Sequence, residues 1–409
     1  MTRTELQVLS PKDVDAWYDV LQSAFGGAGK GPEHRELVRA VIDPGRAIAA
    51  RDGDLVVGTA GSFHFEVTVP GGRLAPFAGV TMVSVAATHR RQGILTAMMR
   101  RQLDDLRERG EPLAMLTASE QAIYGRFGYG AASRLLRVEI DTPRVRLGPL
   151  PDGTDAIRLR TAPVGDDAVV AACEAVYARA VPTRPGMIAR LPHWADLQVL
   201  DRDPSAPLLC VLAERDGEVT GYARYRNRQE WDASGPAGTV EVQDVHADDP
   251  ASRAALWRYL FGMDLTSKLV KYSLPVDDPL LQLVSDQRRC GLRQWDGLHV
   301  RLVEVGAALT ARGYRAPVDV VLDVDDAFCG WNTGRWRLSA DAGGAVCERT
   351  ADPADLALSV GSLGALYLGG VTPVSLAAAG LLRELRPGAV AAVSTAFGSD
   401  PAPWNPHDF

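Results

Sequence analysis

The sequence predicts an α/β chain built on mixed sheets, with one α/β domain occurring twice in tandem and a third unit of strands and helices after it. Three observations carry this. The stretches ARDGDLVVG (residues 50–58) and AERDGEVTG (residues 213–221) repeat each other, and each reads as a strand, an Asp-Gly turn and a second strand. Each copy leads to an apolar strand followed by a helix: MVSVAATHRRQGILTAMMRRQL (82–103) in the first, VEVQDVHADDPASRAALWRYL (240–260) in the second. Between them DTPRVRLGPLPDGTD (141–155) is rich in Pro and Gly, as a linker is, and after LPVDDPLL (274–281) the pattern changes. The expected domains are therefore residues 1–150, 151–290 and 291–409.

In the third unit, RQWDGLHVRLVEVGAALTARGY (293–314) is expected to open with a strand and a helix. VDVVLDVDDAF, TGRWRLSAD and LALSV then supply sheet strands. Residues 356–382 hold no charge over a length that could cross a membrane, but Gly369, Gly370 and Pro373 interrupt it. The expectation is a buried strand-helix-turn-helix, and no membrane span.

With 46% apolar and 23% charged residues the chain has ample material for buried cores. A net charge of -7 and a pI near 5.6 argue against a nucleic-acid partner, which needs clustered positive charge, and favour a cationic one. The five cysteines, Cys173, Cys210, Cys290, Cys329 and Cys347, are scattered without any metal-binding spacing. They read as reduced core residues, and no metal is expected. The opening MTRTELQVLSPKD lacks an apolar signal run, so a cytoplasmic location is expected.

The most informative stretch is VSVAATHRRQGILTAMMRRQLDDL (83–106). An apolar strand runs into a polar turn with His89, Arg90 and Arg91, then Gly93, then Leu95, Met98, Met99, Leu103 and Leu106 at helical spacing. Gly93 thus sits at a helix start, where free N–H groups and the positive dipole end favour an anion and a glycine permits close approach. RRQGIL resembles the pyrophosphate loop of GNAT-fold acetyl-CoA-dependent N-acetyltransferases, with Leu95 in place of the usual small last residue. SEQAIYGRFGYG (119–130), the segment LYLGGVTP and the terminal aromatic residue extend the resemblance over the whole chain, to the Eis (enhanced intracellular survival) acetyltransferases.

The resemblance implies two tandem GNAT-like domains, the first catalytic and the second degenerate, followed by a sterol-carrier-protein-like domain. It also implies a homohexamer. Under it Val83, Ser84 and Val85 lie along the cofactor's pantetheine arm, Arg91, Gln92, Gly93, Ile94, Leu95 and Thr96 hold the pyrophosphate, and Ser119 and Glu120 line the same cofactor. Where the first copy has THRRQGIL the second has ADDPASRA (247–254), whose acids at the helix start would occupy the place of a phosphate. The second domain is not expected to bind acetyl-CoA.

Acetyl transfer to an amine needs a polarised thioester carbonyl, an acid for the departing thiolate and a route for the amine proton. A backbone N–H near Val85 is a candidate for the first need. Tyr124 and Tyr129 are both candidate acids that the residues alone do not separate; the resemblance assigns the role to Tyr124. No His or Glu of the first domain stands out as a base, since His34, His64 and His89 are isolated. The resemblance instead brings the terminal carboxylate, here that of Phe409 in...PAPWNPHDF, into the first domain's site. An α-carboxyl, with a reference pKa near ~3.5, is a poor base, which burial beside Phe409 and Trp404 would improve. Even unshifted it can anchor an ammonium.

Asp408 adds negative charge for a polycationic acceptor. The resemblance implies aminoglycoside acceptors, acetylated at several amines. The segment AFGGAGKGPEHREL (24–37) is glycine-rich where the resemblance implies acidic and aromatic pocket residues, so a different acceptor profile is expected. The competing expectations are a protein lysine acetyltransferase and a lipid-binding scaffold acting through the third domain.

Overall fold

The computed structural model describes residues 4–27, 31–199, 203, 205–233 and 235–409. The first domain supplies β1 (Glu5–Val8), β2 (Ile48–Asp52), β3 (Leu55–Thr68), β4 (Leu74–Val85), β5 (Leu113–Thr117) and the short β6 (Gly130–Ala131), with helices α1 (Val14–Ala24), α2 (Gly31–Val41) and α3 (Ile94–Glu108). The second sheet uses β7 (Arg134–Asp141), β8 (Arg158–Ala162), β9 (Leu208–Arg215) and β10 (Glu218–Arg228). A two-stranded ribbon, β11 (Trp231–Asp232) with β12 (Gly235–Pro236), precedes β13 (Gly238–Ala247), β14 (Thr266–Pro275) and β15 (Arg293–Asp296). After β16 (Leu298–Leu302) the third sheet takes β17 (Val318–Asp325), β18 (Gly334–Asp341), β19 (Gly344–Arg349), β20 (Leu356–Ser359) and β21 (Leu382–Glu384).

The sheet orders are β1-β2-β3-β4-β5-β16-β6, β15-β7-β14-β13-β10-β9-β8 and β19-β18-β17-β20-β21. Two strands therefore sit in the sheet of the other acetyltransferase-like half: β7 leaves the first half to pair with β14, and β16 returns to lie between β5 and β6. This corrects the expected boundaries. Residues 134–141 complete the second sheet, and RQWDGLHVRL contributes β15 and β16 to the second and first sheets and nothing to the third. All five residues of β16 are buried, as suits a central strand covered on both faces. Its one charge, Arg301, is neutralised by Asp326 at 2.6 Å.

Both predicted hairpins form, β2 with β3 and β9 with β10, each turning on a left-handed glycine (Gly53 and Gly217). In both halves the following strand carries one extra residue. The register of β3 on β4 slips between Thr59 and Gly61, with Met82 at φ +54°, and that of β10 on β13 slips between Arg224 and Tyr225.

The two halves are tied by the segment after the helix Asp167–Ala180. The Thr68 N–H donates to the Met187 carbonyl (2.8 Å), and Gly186 and Ala189 donate back to Thr68 (2.8 Å) and Glu66 (2.9 Å). The third domain shares its core with the far face of the first sheet, where Phe65 and Phe77 pack with Leu309, Leu363 and Phe397. The charge-free stretch folds as β20, the helices Val360–Leu366 and Pro373–Ala378, and the start of β21. Among the described residues no helix is long and apolar enough to cross a membrane.

Candidate active site

The parallel partners β4 and β5 are paired only at Ala78 with Ala114 and Gly79 with Met115. Beyond that point they part, and the open end leads to the predicted anion loop. Gly93 has φ +85°, lies exposed, and has no atom within 4 Å of where a Cβ would stand. Arg91, Gln92 and Thr96 are exposed beside it, and Arg91 is also left-handed, at φ +62°. No side chain caps the start of α3, so the first N–H groups of the helix face outward with their dipole. Ile94 is buried and holds the loop to the sheet: a Cβ at Gly58 would fall 3.2 Å from its methyl carbon. Leu95 is half-buried against the same core.

At the end of β4, Val83 and Val85 are half-buried at the opening, whereas the Ser84 side chain turns inward. Its hydroxyl lies 2.7 Å from that of Thr59, which in turn donates to the Met82 carbonyl at 2.7 Å. Ser84 thus offers a ligand its backbone, and Thr59, not singled out in the sequence, fills the bulge. Ser119 and Glu120 follow β5 and are exposed on the opposite lip.

The two tyrosines have different surroundings. Tyr129 is buried and its hydroxyl is sealed without a hydrogen-bond partner among the described residues. Burial pushes its pKa well up, against the pull of Arg301. Tyr124, edge-on to Tyr129 at 5.8 Å, is also raised by burial, but its hydroxyl is not among the sealed ones. Both stay protonated at neutral pH; only Tyr124 has a hydroxyl open to meet a ligand.

The histidines of the first domain are tied to structure. His34 sits 2.7 Å from the Tyr18 hydroxyl, His64 3.3 Å from Glu111, and His89 3.3 Å from Asp52. In the glycine-rich segment, residues 28–30 lie outside the described residues.

Phe409 reaches the first sheet. Its ring lies 5.4 Å from Phe65 and 6.1 Å from Phe77, and a Cβ at Gly79 would come within 3.2 Å of it. An isolated glycine inside the apolar strand APFAGVTMVSV was the sequence signal for such a close approach. Tyr124 packs in the cluster of Ala78, Val80 and α3, while Phe409 packs with Phe77 and Met115. Side chains alternate along a strand, so the two residues pack against opposite faces of the first sheet. Asp408 opens to solvent, yet the protein crowds its carboxyl and raises its pKa.

The second domain departs at the matching place. Asp249 caps the helix Pro250–Phe261, accepting from Ala251 and Ser252 N–H at 3.0 Å each, and is held by Arg215 at 2.9 Å. A carboxylate thus fills the position that a phosphate needs.

Known family models match this chain in three places: an Acetyltransferase (GNAT) domain over residues 5–132, a second Acetyltransferase (GNAT) domain over 186–302, and a Sterol carrier protein domain over 305–406. "N-acetyltransferase Eis" of Mycobacterium tuberculosis is 35% identical over 390 residues, 90% of this chain and 91% of that protein. The chain belongs to the Eis family of GNAT N-acetyltransferases. An uncharacterized N-acetyltransferase of Streptomyces avermitilis is 60% identical over 99% of this chain and 100% of its own length. The crystal structure of Eis1 from Mycobacterium abscessus superposes over 100% of both chains with a TM-score of 0.84 and 33% identity. This Eis-family chain is accordingly an acyltransferase with a sterol-carrier-like third domain.

Proposed function

We propose that this Eis-family enzyme transfers acetyl from acetyl-CoA to primary amines of small cationic, aminoglycoside-like molecules, at more than one position. The observation that carries the reading is the β4–β5 opening with an uncapped helix start at one end, in a sheet that has Tyr124 packed on one face and Phe409 on the other. Arg91 to Thr96 fit a pyrophosphate, with Val83, the Ser84 backbone, Val85, Ser119 and Glu120 along the rest of the cofactor. Acetyl-CoA supplies an acyl thioester. The Tyr124 hydroxyl gives its proton to the sulfur as the carbon–sulfur bond breaks. The Phe409 carboxylate holds the attacking amine and takes its proton, directly or through water. Asp408 adds a second negative charge, and an ammonium beside it offsets the cost of its crowding.

The third domain carries two concave sites that bear on the lipid-scaffold alternative: one of about 410 Å³ is edged by Asp323, Asp325 and Arg383, which a lipid chain would have to desolvate. The other, a wider groove of about 800 Å³, has Trp331, Trp336 and Cys347 on its floor but is edged by Glu304, Glu348, Arg349 and, from α3, Arg107, charges a lipid chain would likewise have to pass.

The test is thiol release from acetyl-CoA over an aminoglycoside panel, with lysine peptides in parallel, for the native chain and one extended by two glycines after Phe409. Loss of turnover with acetyl-CoA binding intact supports the carboxylate's role. Equal turnover removes Phe409 from the mechanism, and turnover on peptides alone replaces the small-molecule acceptor with a protein.

A further inference from the structure

The second domain repeats the strand opening of the first, and the chain's own last residues fill it. Strands β13 and β14 pair in parallel from Gly238 with Thr266 to Val242 with Lys271 and then part. At that opening stands Trp404, 8% exposed, between His246 (ring centroids 6.2 Å apart) and β14, where its indole N–H donates to the Ser273 hydroxyl at 3.0 Å. The cavity beside it measures about 100 Å³, well below the ~300 Å³ at which cofactor pockets begin.

The backbone is gripped on both sides of Trp404. Its N–H donates to the Pro185 carbonyl at 2.9 Å. It runs so close over Gly186 (φ +92°) that a Cβ there would fall 3.0 Å from the Trp404 carbonyl oxygen. The Ala402 N–H donates to Asp277 at 2.9 Å, and Arg184 joins the Ala402 carbonyl to the same Asp277. Further on, Arg190 Nε donates to His407 Nε2 at 3.1 Å, and the His407 ring packs 5.3 Å from Tyr177. Burial and the Arg190 charge hold the His407 pKa well down, so that nitrogen stays a lone-pair acceptor. Each of these partners belongs to the second domain; Phe409, two residues beyond, lies on the first.

We propose that the remnant cofactor opening of the second domain is a clamp for residues 402–407, with Trp404 the positioning residue that holds Phe409 against the first sheet. The inference rests on the reading above for what Phe409 does there, but the clamp itself is independent of it. Phe409 lies five positions beyond Trp404, at most ~17 Å away when the chain is extended, so anchoring one confines the other. The same segment 184–190 also pairs with the end of β3, so the clamp is built on the joint between the two halves.

Carboxypeptidase A digestion of the full chain, followed by intact mass, reads the accessibility of Phe409 directly; thiol release reads turnover. Trp404→Ala is expected to speed the loss of Phe409 and to lower turnover, each by on the order of tenfold or more, with acetyl-CoA affinity unchanged. Trp404→Phe is expected to recover part of both, and Asp277→Ala, on the surface, to give a smaller shift in the same direction. If Trp404→Ala does not fold, the other two variants carry the test. Phe409 released no faster from the folded variants than from the native chain overturns the clamp. Faster release with unchanged turnover upholds the clamp and overturns the catalytic reading of Phe409.

Discussion

The two acetyltransferase halves are built alike and differ in what their strand openings contain. Both have a tight Asp-Gly hairpin, a glycine crowded against the facing strand and the following helix (Gly58, Gly221), an extra residue in the next strand, and a helix start at the open end. In the first half that helix start is bare and the opening is flanked by half-buried valines. In the second, Asp249 occupies the helix start and Trp404 the opening, and Arg224, Asp244, His246 and Lys271 are buried alongside. The same scaffold thus has a bare opening in one half and an opening filled by the chain's own end in the other.

The largest effect expected from breaking this contrast is at Asp244. Burial pushes its carboxyl up, but Arg224 at 3.6 Å, with His246 and Arg190, outweighs it and holds the pKa near about 2. Asp244→Asn removes the nearer counter-charge of a fully buried guanidinium, leaving Glu174 at 3.9 Å, and should cost about 3 kcal/mol in urea unfolding. Acid should act on the same cluster. Burial lowers the His246 pKa to about 3, below its unfolded value, so its contribution is full above about pH 6.5 and is lost as pH falls toward 3. Asp244, also depressed, adds its loss as pH falls from about 4 toward 2. Calorimetry should show a falling melting temperature from pH 7 to 4, with a shallower fall in His246→Gln.

Next in size is the pair of tyrosines. Tyr124→Phe should lower kcat by about 10²-fold, the scale of a lost general acid, while Tyr129→Phe should leave kcat within about threefold because its hydroxyl is sealed. Turnover by thiol release checks both, and equal losses would erase the distinction. Giving the first half the second's acid comes third: Gly93→Asp should weaken acetyl-CoA binding roughly thirtyfold, the upper range for a charge at a helix end, as read by titration calorimetry. The smallest change runs in reverse. Asp249→Ala should cost about 1 kcal/mol as a lost helix cap and leave the binding stoichiometry at one acetyl-CoA per chain, since Trp404 still fills the opening.

Much of this was legible in the sequence. The hairpins, the helix start at Gly93, the acids of the second copy and the breaks at Gly369 and Pro373 each arise from residues a few positions apart, whose turn geometry, dipole and period are local properties. The resemblance to Eis acetyltransferases rested on such local motifs, and the three-domain order with it. What the sequence left open was every pairing between distant residues. The strands β7, β15 and β16 read as apolar runs, and nothing in such a run names its sheet; β16 pairs with β5 and β6 across more than 150 positions. Tyr124 and Tyr129 differ in whether the surrounding core seals the hydroxyl, which depends on segments far along the chain. The terminal aromatic residues hinted at an anchored end, but Pro185, Ser273, Asp277 and Gly79 became their neighbours only in the folded chain. The sequence determined local geometry and charge, because backbone sterics and dipoles act within a turn of chain. The tertiary structure decided which opening stays free and which is filled, because that depends on packing between segments that no periodicity links.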